Sequence, residues 1–470
     1  MNLKSLIANF SVALVAQGTN LLVSFAVSLL LPKILGVEEY GYWQLFILYA
    51  SYVGLFHLGL NDGVYLIKGG QGRDVIDKLS VNSQMAAGFI FQTGFAVVIV
   101  AAALAGGFGE QRVFVLVCTA IYLLLSNMGT YLGYVFQAMN ETKLFSASVL
   151  INGVVFFVPL LVLLALGITD FRMYVVFYLF SRLCSLAFCL WFGRDFLVAG
   201  CMPLGSSFKL AFESIKVGIK LTLANLSGML IIGIVQFLVD AQWDIATFST
   251  LSLALSMVNF FMAFISNASM VLFPALRQTD TSEQAAFFAG ARDLLGLILP
   301  AAYLLYIPIV FILGLWLPNY AASFALFTFL LPMCVYDGKM DIVGTTYLKV
   351  LRGETTLLKI NVVTVACSAV GAFVGTHLLH SVEAAVIAAV VCIMARCLFT
   401  EFYLARAMEV SRSSIGLVSV LVTVAFVASA HFVGGMGAFI IFLVVYVAYI
   451  MVYRKRFAQA LSLLKGSMNG

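Results

Sequence analysis

Three basic residues of this 470-residue chain stand inside long apolar runs: Arg182 in "FYLFSRLCSLAF", Lys339 in "LLPMCVYDGKMDIVGTTYLK" and Arg396 in "VVCIMARCLFTEFYLAR". Arg182 and Arg396 are 214 residues apart, and each lies near the middle of its run. A guanidinium presents its donors as a planar fork that fits two phosphate oxygens, so two such groups facing one cavity between lobes suit bidentate capture of phosphate oxygens. The alternative is structural: each arginine forms a buried ion pair, Arg396 for instance with Glu401. Around Lys339, Asp337 and Asp341 are four residues apart and share a helix face, while the lysine points away from both. Pro332 and Gly338 would let that helix bend or open. The two carboxylates could then hold a coupling proton or sodium ion with Lys339 contacting an anionic solute, or the three could form a salt-bridge cluster within one half of the molecule. A last candidate is Asp62 in "HLGLNDGVYLIKGGQGRD", residues 57–74, which could pair with Lys68 as an inner gate or cap its helix.

Composition says what must position these groups. Hydrophobic residues make up 63% of the chain and charged ones 10%, with mean hydropathy +1.07, whereas soluble domains are about 25% charged. This is an all-α polytopic membrane protein, and no polar stretch is long enough to fold as a separate soluble domain. Seven of the eight cysteines lie in apolar runs without metal or redox spacing and read as small buried hydrophobes. The four histidines are scattered, and "GGQG" lacks the spacing and the Lys-Ser/Thr of a nucleotide cradle. No metal or cofactor site is expected.

A crossing helix needs about 20 mostly apolar residues. The charged and turn-rich breaks give fourteen: 8–31, 41–64, 83–105, 112–138, 145–168, 172–193, 217–239, 246–274, 293–317, 321–349, 357–379, 384–407, 414–433 and 437–453. The first is too long and lacks a cleavage site, so it reads as a retained span. With both termini inside, twenty of the 26 Lys and Arg fall in inner segments, and Lys33, Arg112 and Arg172 alone fall outside. That asymmetry is the signature of cytoplasmic loops and would be lost if one span were miscounted. It also assigns the net charge of +5 to topology, not nucleic-acid binding. Outer connections such as "GVEEY", "GITDF" and "VGGMG" leave no room for an outer-face enzyme site.

The chain repeats itself. "GYVFQAMNETKL" (133–144) aligns with "TYLKVLRGETTL" (346–357), Tyr134 with Tyr347 and Glu141 with Glu354, and Lys68 has a counterpart in Arg277. Two six-span lobes, 1–200 and 201–412, are followed by two further spans and a tail, 413–470.

With that plan, "LLLPKILGVEEYGYWQLFILYASYVGLFHLGLNDGVYLIKGG" (29–70) and "FQAMNETKLF" (136–145) resemble the first hairpin and fourth-span ending of polysaccharide and oligosaccharide flippases of the multidrug/oligosaccharidyl-lipid/polysaccharide exporter superfamily. Gly59, Asp62, Gly63, Leu66, Gly69 and Gly70 fit the second-span pattern of that family, with Lys68 as a single basic residue where two are usual. The resemblance covers the whole length. It implies alternating access that moves an undecaprenyl-diphosphate-linked repeat unit across a bacterial inner membrane for O-antigen, capsule or exopolysaccharide synthesis. Arg182, Arg396 and Lys339 would then line the cavity, and Lys68, Arg277, Lys349 and Arg352 would gather the anionic headgroup in an inner vestibule. Partners would be the lipid-linked substrate, membrane lipids and a polysaccharide polymerase with its chain-length machinery. No cofactor is implied, and H+ or Na+ coupling stays open, with Asp62, Asp337, Asp341 and Glu401 as gate or coupling residues. The rivals are a multidrug or cation antiporter of the same superfamily, a peptidoglycan lipid-precursor flippase and a membrane sugar polymerase.

Topology is directly testable. In a cysteine-free background, Arg73→Cys and Asn319→Cys should be labelled from opposite sides of the membrane; labelling from one side overturns the inside and outside assignment.

Overall fold

The structure, a computed structural model, describes residue 18 and residues 22–276, 281–411 and 413–469; the side chains of 264, 266–276, 281–283 and 461–469 lie outside that description. Arg277 is therefore outside the described residues. Among the described residues all regular structure is helical. Eleven helices are long and apolar enough to cross a membrane, twelve with the bent pair Pro318–Leu330 and Pro332–Val350. They correspond to the third through fourteenth expected spans. The first expected span falls largely outside the described residues, so the count of fourteen is an expectation for that end.

The second expected span is not one helix. Helix α1 (Leu31–Ser51) runs into a tight 3-10 turn, Val53–His57, and α2 (Leu60–Lys68) restarts the chain. Between them Leu58 (φ 53°) and Gly59 (φ 93°) are both left-handed, which no right-handed helix accommodates. Side chains satisfy the backbone freed by this break. Asn127 of α4 (Glu110–Ala138) donates to the Val53 carbonyl at 3.0 Å, Asn61 donates to the Asn127 carbonyl at 3.0 Å, and the Gly59 N–H donates to His57 Nδ1 at 3.0 Å. In a medium without water these replacements are what permits an interrupted span.

Packing divides the chain into two compact units, Met1–Leu226 and Ser227–Gly470. In unit 1, α3 (Lys78–Ala105), α4, α5 (Thr142–Ala165) and α6 (Phe171–Phe192) follow α2, and α7 (Leu204–Gln242) contributes its first half. Asp77 and Asp170 start α3 and α6 by accepting from the N–H groups of Ser80 (3.0 Å) and Arg172 (2.9 Å). An aromatic nest fills the middle: the Trp43 ring stacks on Phe156 at 5.9 Å, and Tyr178 lies edge-on to both Trp43 and Phe156.

Two glycines of the second-span signature, Gly59 and Gly63, serve contact. A Cβ at Gly63 would collide with the Ser214 carbonyl of α7, and a Cβ at Gly218 with the backbone of Gly59 and Gly63. The backbones of α2 and α7 therefore touch, as small residues allow in membranes. Asp62, one position away, accepts a hydrogen bond from Thr222 of α7.

Unit 2 contains α8 (Ile245–Leu276), α9 (Thr281–Ile298), α10 (Tyr306–Trp316), α11 (Ala321–Leu330), α12 (Pro332–Lys339), α13 (Thr346–Val350), α14 (Glu354–Phe373), α15 (Val382–Ala407), α16 (Ile415–Ala428) and α17 (Gly435–Asn469). The tenth expected span bends by 42° where α11 meets α12 at Pro332, since proline removes a backbone donor. It then passes through a π-helical segment, Met340–Thr345, before α13.

The α2/α7 contact makes a stability prediction. Gly63→Ala should destabilise the protein by about 1 to 3 kcal/mol through overpacking, read as a lower unfolding temperature in detergent. Gly94→Ala, at a position with nothing within 4 Å of an added Cβ, should leave that temperature unchanged or higher.

Candidate functional site

The buried charges of unit 2 form two interlocked ion pairs between α12 and α15. Arg396 pairs through NH2 with Asp337 and donates through NH1 to Asn361 Oδ1 of α14 at 3.3 Å. Lys339 Nζ lies 2.6 Å from Glu401 Oε1, which also accepts from the Cys397 thiol at 3.5 Å. All four side chains are buried or nearly so, with Lys339 4% exposed and Arg396 7%. Two glycines make room: a Cβ at Gly296 would lie 3.2 Å from Lys339 Nζ, and one at Gly416 would lie 3.1 Å from Glu401 Oε2.

Sequence reasoning placed these four residues in functional sets but exchanged their partners. Arg396 pairs with Asp337, not Glu401, and Lys339 turns to the same neighbouring helix as Asp337 to meet Glu401. The flexible lysine stem spans the angle that separates positions 337 and 339 on the helix. Asp341 falls on the π-helical segment, half-buried, its carbonyl accepting from the Thr346 hydroxyl at 2.9 Å. With Asp337 and Glu401 each facing one base, neither Arg396 nor Lys339 presents an uncompensated charge.

Arg182 in unit 1 is built differently. Its guanidinium lies 5.4 Å from the centroid of Tyr122, with the phenols of Tyr122 and Tyr178 as hydrogen-bonding neighbours, and its buried Nε has no hydrogen-bond partner. No carboxylate forms an ion pair with it among the described residues. Beside it is a cavity of about 50 Å³ whose polar lining includes Ser126, Thr130, Ser148 and Ser185.

The expected gate and vestibule residues separate into one acid and a set of bases. Asp62 is buried and bonded to Thr222, and it forms no ion pair with Lys68, so the expected Asp62–Lys68 gate is not made. Lys68 and Lys349 are half-buried and Arg352 is exposed, and none has an ion pair among the described residues. Lys349 and Arg352 flank a turn at which Arg352 is left-handed (φ 54°), as Asn140 is (φ 63°) at the matching turn of unit 1.

One cluster was missed by sequence reasoning. Arg73 grips Glu141 with two hydrogen bonds, from Nε at 2.8 Å and NH2 at 2.7 Å, and reaches Asp195 with NH1 at 2.9 Å. Lys78 lies 3.0 Å from the other oxygen of Asp195. Glu141 and Asp195 hold the Arg73 guanidinium in its charged form above the ordinary arginine range. The clamp ties the loop after α2 to the ends of α4 and α6, which gives the Glu of "FQAMNETKLF" a partner. Its one sequence signal was Glu141 recurring as Glu354 in the repeat.

Two large cavities of unit 2, about 670 and 600 Å³, have linings dominated by aliphatic and aromatic groups such as Val390, Val424 and Phe311 and contain no Lys or Arg. They offer nothing to an anionic headgroup.

The ion pairs predict a non-additive stability pattern. Asp337→Leu leaves a bare guanidinium and should cost about 3 to 5 kcal/mol, as should Arg396→Met, whereas the double variant should be more stable than either single one. Unfolding in detergent measures all three; a double variant as unstable as the sum would refute the pairing.

No protein-family model and no curated protein sequence matches the chain. Solved structures do. A lipid II flippase, MurJ in an inward closed conformation, is similar over 97% of this chain and 99% of its own, with TM-score 0.59 and 11% identity. An inward-facing multidrug resistance MATE family transporter of the MOP superfamily is similar over 84% of this chain and 98% of its own, with TM-score 0.62 and 12% identity. An outward-facing one matches over 86% and 95%, with TM-score 0.50 and 11% identity. At these identities the likeness is one of fold: the chain is a multi-pass helical membrane protein with the fold of MOP superfamily transporters.

Proposed function

We propose that the protein is a flippase that carries an undecaprenyl-diphosphate-linked oligosaccharide across the bacterial inner membrane by alternating access, for surface polysaccharide synthesis. The observation that carries this reading is the extent of the fold likeness. The lipid II flippase is matched end to end, whereas the multidrug transporters, matched over nearly all of their own length, leave about a sixth of this chain without counterpart. Within unit 2 the charges support the same choice: Asp337 and Glu401 are each neutralised by a base, so that cluster offers no free carboxylate to a cation. The headgroup's diphosphate would be gathered by Lys68, Lys349, Arg352 and Arg277, bases that positive-inside topology assigns to the cytoplasmic face.

A second reading, flipping of the peptidoglycan precursor, draws on that same full-length likeness to a lipid II flippase. It shares the lipid diphosphate and differs in the sugar.

Reconstituted vesicles separate the readings. Fluorescent lipid-linked oligosaccharide should become accessible on the far leaflet, and Lys68→Ala, Lys349→Ala and Arg352→Ala together should slow this at least tenfold at unchanged protein level. Flipping of lipid II alone favours the second reading, and cation efflux with no lipid flipping overturns both.

A further inference from the structure

We propose that the cavity beside Arg182 in unit 1 is a binding site for one small inorganic anion of halide size, which supplies to Arg182 the counter-charge that Asp337 supplies to Arg396 in unit 2. The repeat makes the comparison. Arg182 and Arg396 are 214 residues apart, and the 213-residue offset that aligns α4 with the tenth span sets Leu124 against Asp337. Unit 2 thus places a carboxylate where unit 1 places a leucine. The arginine is kept and its acid is not.

The cavity provides what an anion needs. Its lining comes from three helices of one unit: Ser126, Gly129 and Thr130 of α4, Ser148 of α5, and Arg182 and Ser185 of α6. Ser148 and Ser185 spend their protons on backbone, donating to the carbonyls of Phe145 at 2.7 Å and Ser148 at 2.9 Å. No hydrogen bond is made by the hydroxyls of Ser126 and Thr130 among the described residues, so both are available as donors beside the Arg182 guanidinium. No carboxylate lines the space, so a cation has nothing to bind and an anion has a charge and two hydroxyl donors.

Size selects the anion. At about 50 Å³, against about 670 and 600 Å³ for the two apolar cavities of unit 2, the space takes a small anion with its waters and is too small for a sugar diphosphate. The site is accordingly not the substrate's, and the inference stands apart from the flippase reading. The anion is a resident counter-ion that lets a guanidinium persist in the apolar interior of unit 1.

Thermal unfolding of the full-length protein in nanodiscs tests this at fixed sodium and ionic strength, with gluconate replaced by chloride or bromide. The wild-type midpoint should rise with halide, in equal steps per tenfold increase once the concentration exceeds Kd, and Arg182→Gln should not respond. Ser126→Asp supplies the missing carboxylate; it should be as stable in gluconate as the wild type in chloride and should lose the halide response, which keeps the test decisive if Arg182→Gln fails to fold. A bromide anomalous peak should lie between Ser126, Thr130 and Arg182. A wild-type midpoint indifferent to halide, a response retained in Arg182→Gln or Ser126→Asp, or stabilisation by phosphate alone overturns the proposal.

Discussion

The bilayer interior holds no water to satisfy a polar group, and most of the polar features described above answer to that constraint. Hydroxyls in the helices bond back to carbonyls of their own turn, as Thr119 does to Val115 and Thr400 to Arg396, both at 2.8 Å. The break in the second span persists because Asn127 and His57 take over bonds that a continuous helix would have made, while Asn61 ties α2 to the Asn127 carbonyl of α4. The same demand turns Asp337 to Arg396 and Glu401 to Lys339. A polar residue in such a chain is therefore best understood through the group it satisfies.

What the sequence revealed follows the range over which each signal acts. Span positions from 83 onward were legible because twenty apolar residues in a row are a local property with one physical use. The break at Leu58 and Gly59 was not, because a leucine in left-handed conformation has no mark in the sequence. The glycines of "HLGLNDG" announced themselves but not their use, since their collision partners, Ser214 and Gly218, lie about 150 residues on. The buried charges were visible as anomalies in apolar runs, while their pairing depended on which helices are neighbours. Placing Lys339 by its angle around a helix failed for a simple reason: a four-carbon stem swings across a full helix face.

The repeat sharpens what these charges do. Two arginines at matched positions would carry the same environment if the halves had been held to one design, yet one faces an aspartate and the other an aromatic ring and hydroxyls. An ion pair buried with good geometry is close to neutral in its net effect on stability, but it fixes which helix faces which. α12 and α15 are registered twice, at Asp337–Arg396 and at Glu401–Lys339. In unit 1 α4 meets α6 through a surface ion pair, Glu110–Arg172, and through no buried one among the described residues. There the aromatic nest around Tyr122 and Tyr178 supplies the packing, and the arginine is left with donors to offer.

This difference between buried and inner-end bases also decides which of them can select a substrate. A lysine in water keeps its hydration whether or not an anion is present, so an unpaired Lys68, Lys349 or Arg352 costs the resting protein little and can give its charge to a headgroup. A base only 4% exposed, as Lys339 is, has already surrendered its water and can leave Glu401 only if something equally anionic takes its place at once. Recognition of a large diphosphate by Lys339 or Arg396 would therefore require the exchange of two partners inside a packed helix pair. Recognition at the inner ends requires only the displacement of water and counter-ions. If the solute is the lipid diphosphate proposed above, physical cost gives its first contact to Lys68, Lys349 and Arg352 and leaves the unit 2 ion pairs to hold α12 against α15.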